Sequence, residues 1–331
     1  MAITIYDLAR EAGVSISTAS KALNGSFTIS EATKTHVLEV ARRLDYKPNA
    51  RARNLARKKS GMVVFATDLY QNIAFENPHM FEIVTGITRS LESKGYSVVL
   101  KHVHFKDAPG AIREIMQENL ADGVLLHAAI LSRELAAFLS HAASPYLVVG
   151  KPSFPCNICW MDINHELAGS VAASYLLDKG YRRILYLAGS EEDAISQSRL
   201  KGIQSALREE DLQMDIVYGD SPYTEDEHAL LGRLAAKTRP EVVLCVNNRI
   251  ALDCLQCVRR LGLDIPKDIS VMTFDNYPFS HLLKPQLTAI EVDMFDMGWE
   301  AARFLLQRIK KPNLQTQTFC TTPRLIERES T

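Results

Sequence analysis

Two groups of residues have the types and spacing for recognition chemistry. In the first, Ile16, Ser17, Thr18 and Lys21 fall on the outer side of a short helical stretch near the start of the chain. Hydroxyls can serve phosphates or base edges, an aliphatic group can pack on a thymine methyl, and lysine can reach guanine acceptors. The second group is dispersed: Lys151 in Gly150-Lys-Pro152, Arg199 in Ser198-Arg-Leu-Lys-Gly202, Asn247 in Val246-Asn-Asn248 and Asp275 in Phe274-Asp-Asn276. Arg, Asn and Asp together supply the donors and acceptors that suit a polyhydroxylated ligand. Phe75 or Phe81 could stack on a ring, and Tyr223 and Trp160 are further aromatic candidates. Each has a plainer reading. The first group suits the polar surface of a three-helix bundle, Arg199 an exposed helix-start cation, Asp275 and Asn276 a turn, and Trp160 a strand's core face.

Covalent chemistry finds no support. There is no Gly-x-Ser-x-Gly, no phosphate-cradling glycine loop and no His-Glu-x-x-His, and the nine His form no recognisable constellation. The expectation is a binding protein without cofactor, not an enzyme. Cys156-x-x-Cys159 and Cys254-x-x-Cys257 mimic a four-thiolate zinc pattern. The second pair falls inside a helix predicted over Ile250 to Leu261, and buried reduced thiols are the favoured reading, with no metal expected.

The first group needs two helices around a tight turn. Thr4 with Asp7 forms a capping box, and Ile5, Leu8, Ala9 and Ala12 make one apolar face. Gly13 turns the chain, Ser15 caps a second helix, and Ala19, Ala22 and Leu23 give it an inner face. That is the helix-turn-helix pattern, whose second helix enters the DNA major groove. After a loop from Gly25 to Ile29, Ser30-Glu-Ala-Thr33 opens a third helix with Val37, Val40, Ala41 and Leu44 on one face. Pro48 ends that region, and Asn49 can cap a short helix over Ala50 to Arg57 that holds Arg51, Arg53 and Arg57 with only one large apolar residue, Leu55. A helix so short needs a partner; a solvated basic linker is the plainer alternative.

The second group needs parallel strands, because ligands sit at their carboxyl ends. From Gly61 the pattern is strand, helix, strand. Met62 to Thr67, Ser97 to Val103, Gly123 to His127 and Tyr146 to Val149 are apolar runs separated by helices predicted over 79–94, 108–119 and 132–143. A second lobe starts near Ile158, with helices over 165–179, 199–210, 225–237 and 249–261 between strands at Ile184 to Leu187, 215–218, Val242 to Val246 and Ile269 to Phe274. Leu287 to Glu291 leads back, helix 294–309 rejoins the first lobe, and strand 316–320 completes it.

Charge follows the same division. Residues 1–60 hold 11 Lys/Arg against 5 Asp/Glu, and the remainder holds 27 against 34. A basic head on an acidic body suits a polyanion partner for the head alone. No apolar run approaches the ~18 residues of a membrane span, and no signal peptide is evident, so a cytoplasmic protein without membrane partner is expected.

Tyr6-Asp-Leu-Ala-x-x-Ala-Gly-Val-Ser-x-x-Thr-x-Ser-x-x-Leu-Asn24 closely resembles the signature of the LacI/GalR family of bacterial repressors, and Tyr46-Lys-Pro-Asn-Ala-Arg-Ala-Arg-Asn-Leu-Ala56 resembles that family's hinge. The resemblance implies an α/β fold: an N-terminal helix-turn-helix head and hinge helix, then a two-lobed, periplasmic-binding-protein-like effector domain. The expected domains are 1–46 for the head, 47–60 for the hinge and 61–331 for the effector domain. Its first lobe takes about 61–157 and 294–320 and its second about 158–291, with a C-terminal tail. The implied DNA contacts are Thr4, Ile5, Tyr6, Ser15, Ile16, Ser17, Thr18, Lys21, Asn24, Thr28, Ser30, Thr33, Tyr46, Asn49, Ala52, Leu55 and Ala56. Thr28, Ser30 and Thr33 match positions that meet the phosphate backbone, and Leu55 the wedge that enters a central minor-groove step. The implied effector contacts are Phe75, Phe81, Lys151, Arg199, Tyr223, Asn247 and Asp275.

The resemblance further implies a homodimer on a palindromic operator, repressing a sugar or related catabolic operon in response to a small-molecule effector. No heptad tail follows Thr331, so a coiled-coil tetramer is not expected. The chain departs from the family at Asn247-Asn248 and Asn164-His165, where relatives usually carry Asn-Asp and Asp-Asn, and at Thr273, where a Gly is common. Losing those acids leaves room for a non-sugar metabolite or a protein partner. A sugar receptor without a gene-control role, or an α/β enzyme carrying a DNA-binding module, are the alternatives of other classes.

Overall fold

The structure, a computed structural model, describes residues 3–46, 59–71, 77–207, 213–219, 226–277, 280–314 and 318–331. The hinge expected over 50–57, with Asn49, Ala52, Leu55 and Ala56, lies outside the described residues, as do Phe75 and Tyr223. The chain forms two compact units, one through Gly61 and one from Met62 to Thr331.

The first unit contains α1 (Ile5–Glu11), α2 (Ile16–Leu23) and α3 (Glu31–Arg43). Each helix starts on a side-chain cap. Thr4 Oγ1 accepts from Asp7 N at 3.4 Å while Thr4 N donates to Asp7 Oδ2 at 3.0 Å, which is the reciprocal capping box. Ser15 Oγ accepts from Thr18 N at 3.1 Å, and Ser30 Oγ from Thr33 N at 3.2 Å. Gly13 turns the chain between α1 and α2 with φ +63°, a left-handed conformation that glycine adopts without a Cβ penalty. Leu8, Ala9, Ala12, Ala19, Ala22, Val37, Val40 and Ala41 form the core, and Arg43 Nη2 bonds Glu11 Oε1 at 2.8 Å across α3 and α1.

The second unit has two lobes, each built on a six-stranded sheet. Its strands are β1 (Met62–Thr67), β2 (Ser97–His102), β3 (Gly123–His127), β4 (Tyr146–Val149), β5 (Trp160–Ile163), β6 (Arg183–Ala188), β7 (Gln213–Tyr218), β8 (Val242–Cys245), β9 (Ser270–Phe274), β10 (Thr288–Glu291), β11 (Phe319–Thr321) and β12 (Arg324–Ile326). Its helices are α4 (His79–Glu92), α5 (Ala108–Gln117), α6 (Arg133–Leu139), α7 (His165–Asp178), α8 (Ala194–Leu207), α9 (Asp226–Ala235), α10 (Asn248–Arg260) and α11 (Met294–Lys310). The sheet orders are β11-β5-β4-β3-β1-β2 and β12-β10-β9-β8-β6-β7. All neighbours are parallel except β10 and β12. Central strands such as β4 and β8 are buried along their length, as a parallel sheet covered on both faces requires.

The lobe boundary differs from the expectation. β5 pairs with β4 in the first sheet, so the second lobe begins at α7 rather than near Ile158. The C-terminal segment is not a tail: β12 pairs with β10 and closes the second sheet. The chain crosses between lobes after β5, after β10 and after β11. In each lobe one helix pair approaches at glycines. A Cβ on Gly86 of α4 would stand 2.0 Å from Phe295 O of α11, and one on Gly202 of α8 would stand 1.8 Å from Glu166 O of α7.

Candidate ligand cleft and nucleic-acid interface

In the first unit, Thr4, Tyr6, Ser15, Ile16, Ser17, Lys21, Asn24, Thr28 and Ser30 are exposed, and Ile5, Thr18, Thr33 and Tyr46 are half-buried. Ile5 and Tyr46 pack against the core, which limits the surface they can offer. Ser15 shares a hydrogen bond with the Thr18 hydroxyl at 2.9 Å, and Ser30 with the Thr33 hydroxyl at 2.8 Å. Two of these four hydroxyls, those of Ser15 and Ser30, therefore already cap helices, and the two Thr hydroxyls bond the caps. Ser17 does not cap, and with Ile16 and Lys21 it forms an outward face on the first turns of α2. Phe27, passed over in the sequence, is fully exposed in the loop after α2. Its signal was an aromatic with no periodic apolar neighbours.

In the second unit, the carboxyl ends of both sheets and the helices that follow them enclose a cavity of about 540 Å³. Lys151, Arg199, Asn247 and Asp275 all line it, each contributed by a different segment. Phe81 does not: it is exposed on α4, while His79 and Ile83 face the cavity. The reason is helical spacing, since residues four apart share a face and the one midway between points away. Trp160 packs against the first-lobe core and is absent from the cavity lining.

Arg199 is buried, not an exposed helix-start cation, because α8 begins at Ala194, five residues earlier than expected. Its Nη2 donates to Asp275 Oδ1 at 3.0 Å, its Nη1 donates to Val246 O, and its guanidinium lies 4.6 Å from the Phe274 ring centroid. Asp275 follows β9 at φ +71° and donates its N–H to Ile290 O at 2.9 Å. From the other lobe, His79 places Nε2 3.7 Å from Asp275 Oδ1, while its Nδ1 hydrogen-bonds Glu82 Oε2 at 3.1 Å. The Tyr277 ring meets His79 edge-on at 4.6 Å.

The charges follow from these contacts. Burial opposes ionisation of Asp275, but Arg199 and His79 hold its carboxyl well below the ordinary range. Burial would lower the His79 pKa; the Asp275 and Glu82 carboxylates outweigh it and raise the value to about 9. A chain of alternating charge, Glu82, His79, Asp275 and Arg199, therefore runs across the cleft.

A second cluster closes the floor. Asp162 Oδ2 accepts from Lys151 N and Oδ1 from Ile163 N, both at 2.8 Å. His165 Nε2 stands 3.6 Å from Asp162 Oδ1, and neither of its buried ring nitrogens has a hydrogen-bond partner among the described residues. Burial lowers the pKa of His127, which ends β3 beside this cluster. Asn247 caps α10, its Oδ1 accepting from Ile250 N at 2.9 Å, which leaves the amide to face the cavity. Neighbouring Asn248 is buried with no hydrogen-bond partner on Oδ1 among the described residues.

His79, His127, Asp162, His165, Asp193 and Tyr277 were missed as lining residues. The rule that finds cleft residues applies to three of them: His127 ends a strand, and His79 and His165 open helices. Cys159 lies in the core of the first lobe and Cys254 and Cys257 in that of the second, so the two Cys-x-x-Cys pairs do not meet in one tetrathiolate. No described helix is long and apolar enough to cross a membrane.

Comparison with known proteins agrees with this architecture. Residues 4–49 match the model of bacterial regulatory proteins, lacI family, and residues 173–331 that of a periplasmic binding protein-like domain. The ribose operon repressor of Escherichia coli (strain K12) is 30% identical over 337 residues, covering 99% of each chain. A crystal structure of the Lac repressor dimer bound to operator and the anti-inducer ONPF superposes with TM-score 0.80 at 24% identity, over 100% of this chain and 99% of that one. The complex of the transcriptional regulator CelR with cellobiose superposes with TM-score 0.70 at 26% identity, over 99% of this chain and 100% of that one. With a matching head, a matching effector domain and a relative alike from end to end, the chain belongs to the lacI family of bacterial regulatory proteins.

Proposed function

We propose that this protein is a dimeric, cytoplasmic repressor that binds a palindromic operator through its head and releases or tightens on it when a small molecule occupies the cleft. The observation that carries the reading is the buried Arg199–Asp275 pair, which lines a cavity large enough for a sugar-sized ligand. Arg199, Asp275, Asn247 and Lys151 bind the ligand; Ser17, Ile16 and Lys21 read bases; Thr28, Ser30 and Thr33 meet phosphates. Asn49, Ala52, Leu55 and Ala56 act in the hinge, by family resemblance alone. The protein binds its effector without turning it over.

The effector is a sugar or sugar derivative. Support comes from relatives named for ribose and complexed with cellobiose, and from donors and acceptors presented together in the cleft. A non-sugar metabolite is the second reading, favoured by His79, His127 and His165 where acids are missing at Asn164-His165 and Asn247-Asn248. The coupling is a free energy between two sites: a ligand with different affinity for two lobe arrangements shifts the head's affinity for DNA by at most that ratio, and DNA shifts the ligand's affinity by the same factor as the ligand shifts DNA's.

The test is a thermal-shift screen of the whole protein against sugars, sugar phosphates, polyols, nucleobases and amino acids, followed by binding to duplexes selected from a random pool. A ligand at a hundred times its Kd adds about 2.7 kcal/mol. A hit that also changes duplex affinity supports the reading. A protein that enriches no duplex, or whose duplex affinity no screened hit alters, defeats it.

A further inference from the structure

We propose that Asp68, His102 and His104 form a site for a divalent transition-metal ion of the zinc–nickel class, outside the ligand cleft. β1 and β2 are parallel neighbours with Thr67 opposite His102. Asp68 follows the end of β1, and His104 lies two residues past His102, on the same side of an extended chain. The topology thus brings a carboxylate and two imidazoles to one corner of the first sheet. One donor atom from each residue lies within 4.8 Å of the others.

The spacing suits an ion. Two ligand atoms ~2.0–2.1 Å from a tetrahedral ion stand about 3.4 Å apart. Asp68 Oδ1 is 3.4 Å from His104 Nδ1 and 3.6 Å from His102 Nδ1, so each imidazole offers its Nδ1 at this spacing from the carboxylate. Two imidazoles with a carboxylate suit zinc, nickel and cobalt better than calcium or magnesium, which prefer all-oxygen sites. His102 and His104 are exposed, at 41% and 66% for their side chains, so an ion can reach them.

The same contacts show what the ion replaces. Leu69 N donates to His102 Nδ1 at 2.9 Å, which puts the His102 proton on Nε2, facing His104 Nε2. One proton is thereby held between the rings. A dication on Asp68 and the two Nδ1 atoms displaces the Leu69 N–H from His102 and leaves both ring protons on Nε2, which turns the two rings apart. Phe105, next to His104, lines the ligand cavity, so an ion here steadies a segment that also bounds the cleft.

The experiment titrates Co²⁺ into the whole, tag-free protein and follows its visible absorption, with Zn²⁺ as competitor. The expected result is one Co²⁺ per chain, displaced by Zn²⁺, with ligand-field bands and no thiolate-to-cobalt charge-transfer band. Asp68→Asn weakens binding by at least the ~10–100-fold that loss of an outer-shell partner costs, and the double variant His102→Ala/His104→Ala abolishes it, while both melt at the parent temperature. The melts separate loss of the site from loss of the fold. No saturable uptake by the parent, undiminished uptake by the double variant, or a thiolate band assigning the ion to cysteine would each overturn the site.

Discussion

His79 and Asp275 face each other across the cleft at 3.7 Å, one from the first helix of the first lobe and one from the strand end of the second. Neither is adjacent to the other in sequence, and both are buried. An ion pair at this place ties the lobes without any ligand. It also makes the tie depend on pH.

The sign follows from the His79 pKa, raised from 6.5 to about 9. A raised value means that the folded, closed arrangement binds the proton more tightly than the unfolded chain does. Its contribution is full below pH 6.5 and is lost as pH rises through about 9. Chemical denaturation between those limits should show stability falling with pH. His79→Gln keeps a polar group of similar size, and its melts should lose that slope. A parent whose stability is flat across the window would remove the pair as a lobe tie.

Arg199 and Asp275 form the tighter half of the same chain. Arg199→Ala leaves the Asp275 carboxylate buried with only His79 beside it. Removing one partner of a buried pair costs about 3–5 kcal/mol. The ligand response should vanish together with much of the stability, so a loss of response alone is not the expected phenotype. The double variant Arg199→Met/Asp275→Leu removes both charges and should recover most of the stability while still failing to respond to ligand. Equal instability of the single and double variants would show that packing rather than the pair sets the cost.

Local features of this chain were legible from its residues because they depend on neighbours a few positions away. The three caps at Thr4, Ser15 and Ser30, the turn at Gly13 and the buried strands all stand where spacing puts them. Sheet membership was not legible in the same way. A lobe boundary near Ile158 would put β5 in the second lobe, but its place is decided by pairing with β4 and with β11, Phe319 standing opposite Met161 from far along the chain. The cleft was half legible. Lys151, Arg199, Asn247 and Asp275 follow from the strand-end rule with the family motifs, whereas Phe81 was misdirected by its helical phase. His79, His127 and His165 stand at element ends as the strand-end rule asks, but no family motif marks them, and the His79–Asp275 pairing forms only when the two lobes face each other.

The α7–α8 approach predicts a steric effect with a built-in control. A Cβ on Gly169 would stand 2.0 Å from the backbone oxygen of Arg199, and neither partner is a flexible side-chain end. Gly169→Ala must therefore push α8 away from α7 and displace Arg199, costing at least the ~1–3 kcal/mol of overpacking. Gly110 lies in α5 with nothing within 4 Å of its Cβ position. Gly110→Ala should stabilise by about 0.5–1 kcal/mol, because alanine orders more cheaply in a helix. Thermal melts of the two variants should move in opposite directions; parallel shifts would mean that the glycines of α7 and α8 are not where the lobes are tightest.

The head separates capping from contact by two residues. Ser15 caps α2, and its Oγ accepts from Thr18 N at 3.1 Å. Ser15→Ala should destabilise the isolated helix start by about 1 kcal/mol and weaken DNA binding partly through the fold. Ser17 is exposed and caps nothing, so Ser17→Ala should melt like the parent and lose affinity only for its selected duplex. A single lost hydroxyl hydrogen bond to a base is worth about 0.5–1.5 kcal/mol. If Ser17 touches a base, binding to an unrelated duplex is unchanged. If it touches a phosphate, both duplexes weaken alike, because phosphate contacts carry no sequence information. Measuring parent and variant on both duplexes at one salt concentration distinguishes the two, and equal affinity of parent and variant on both would place the reading face of α2 elsewhere.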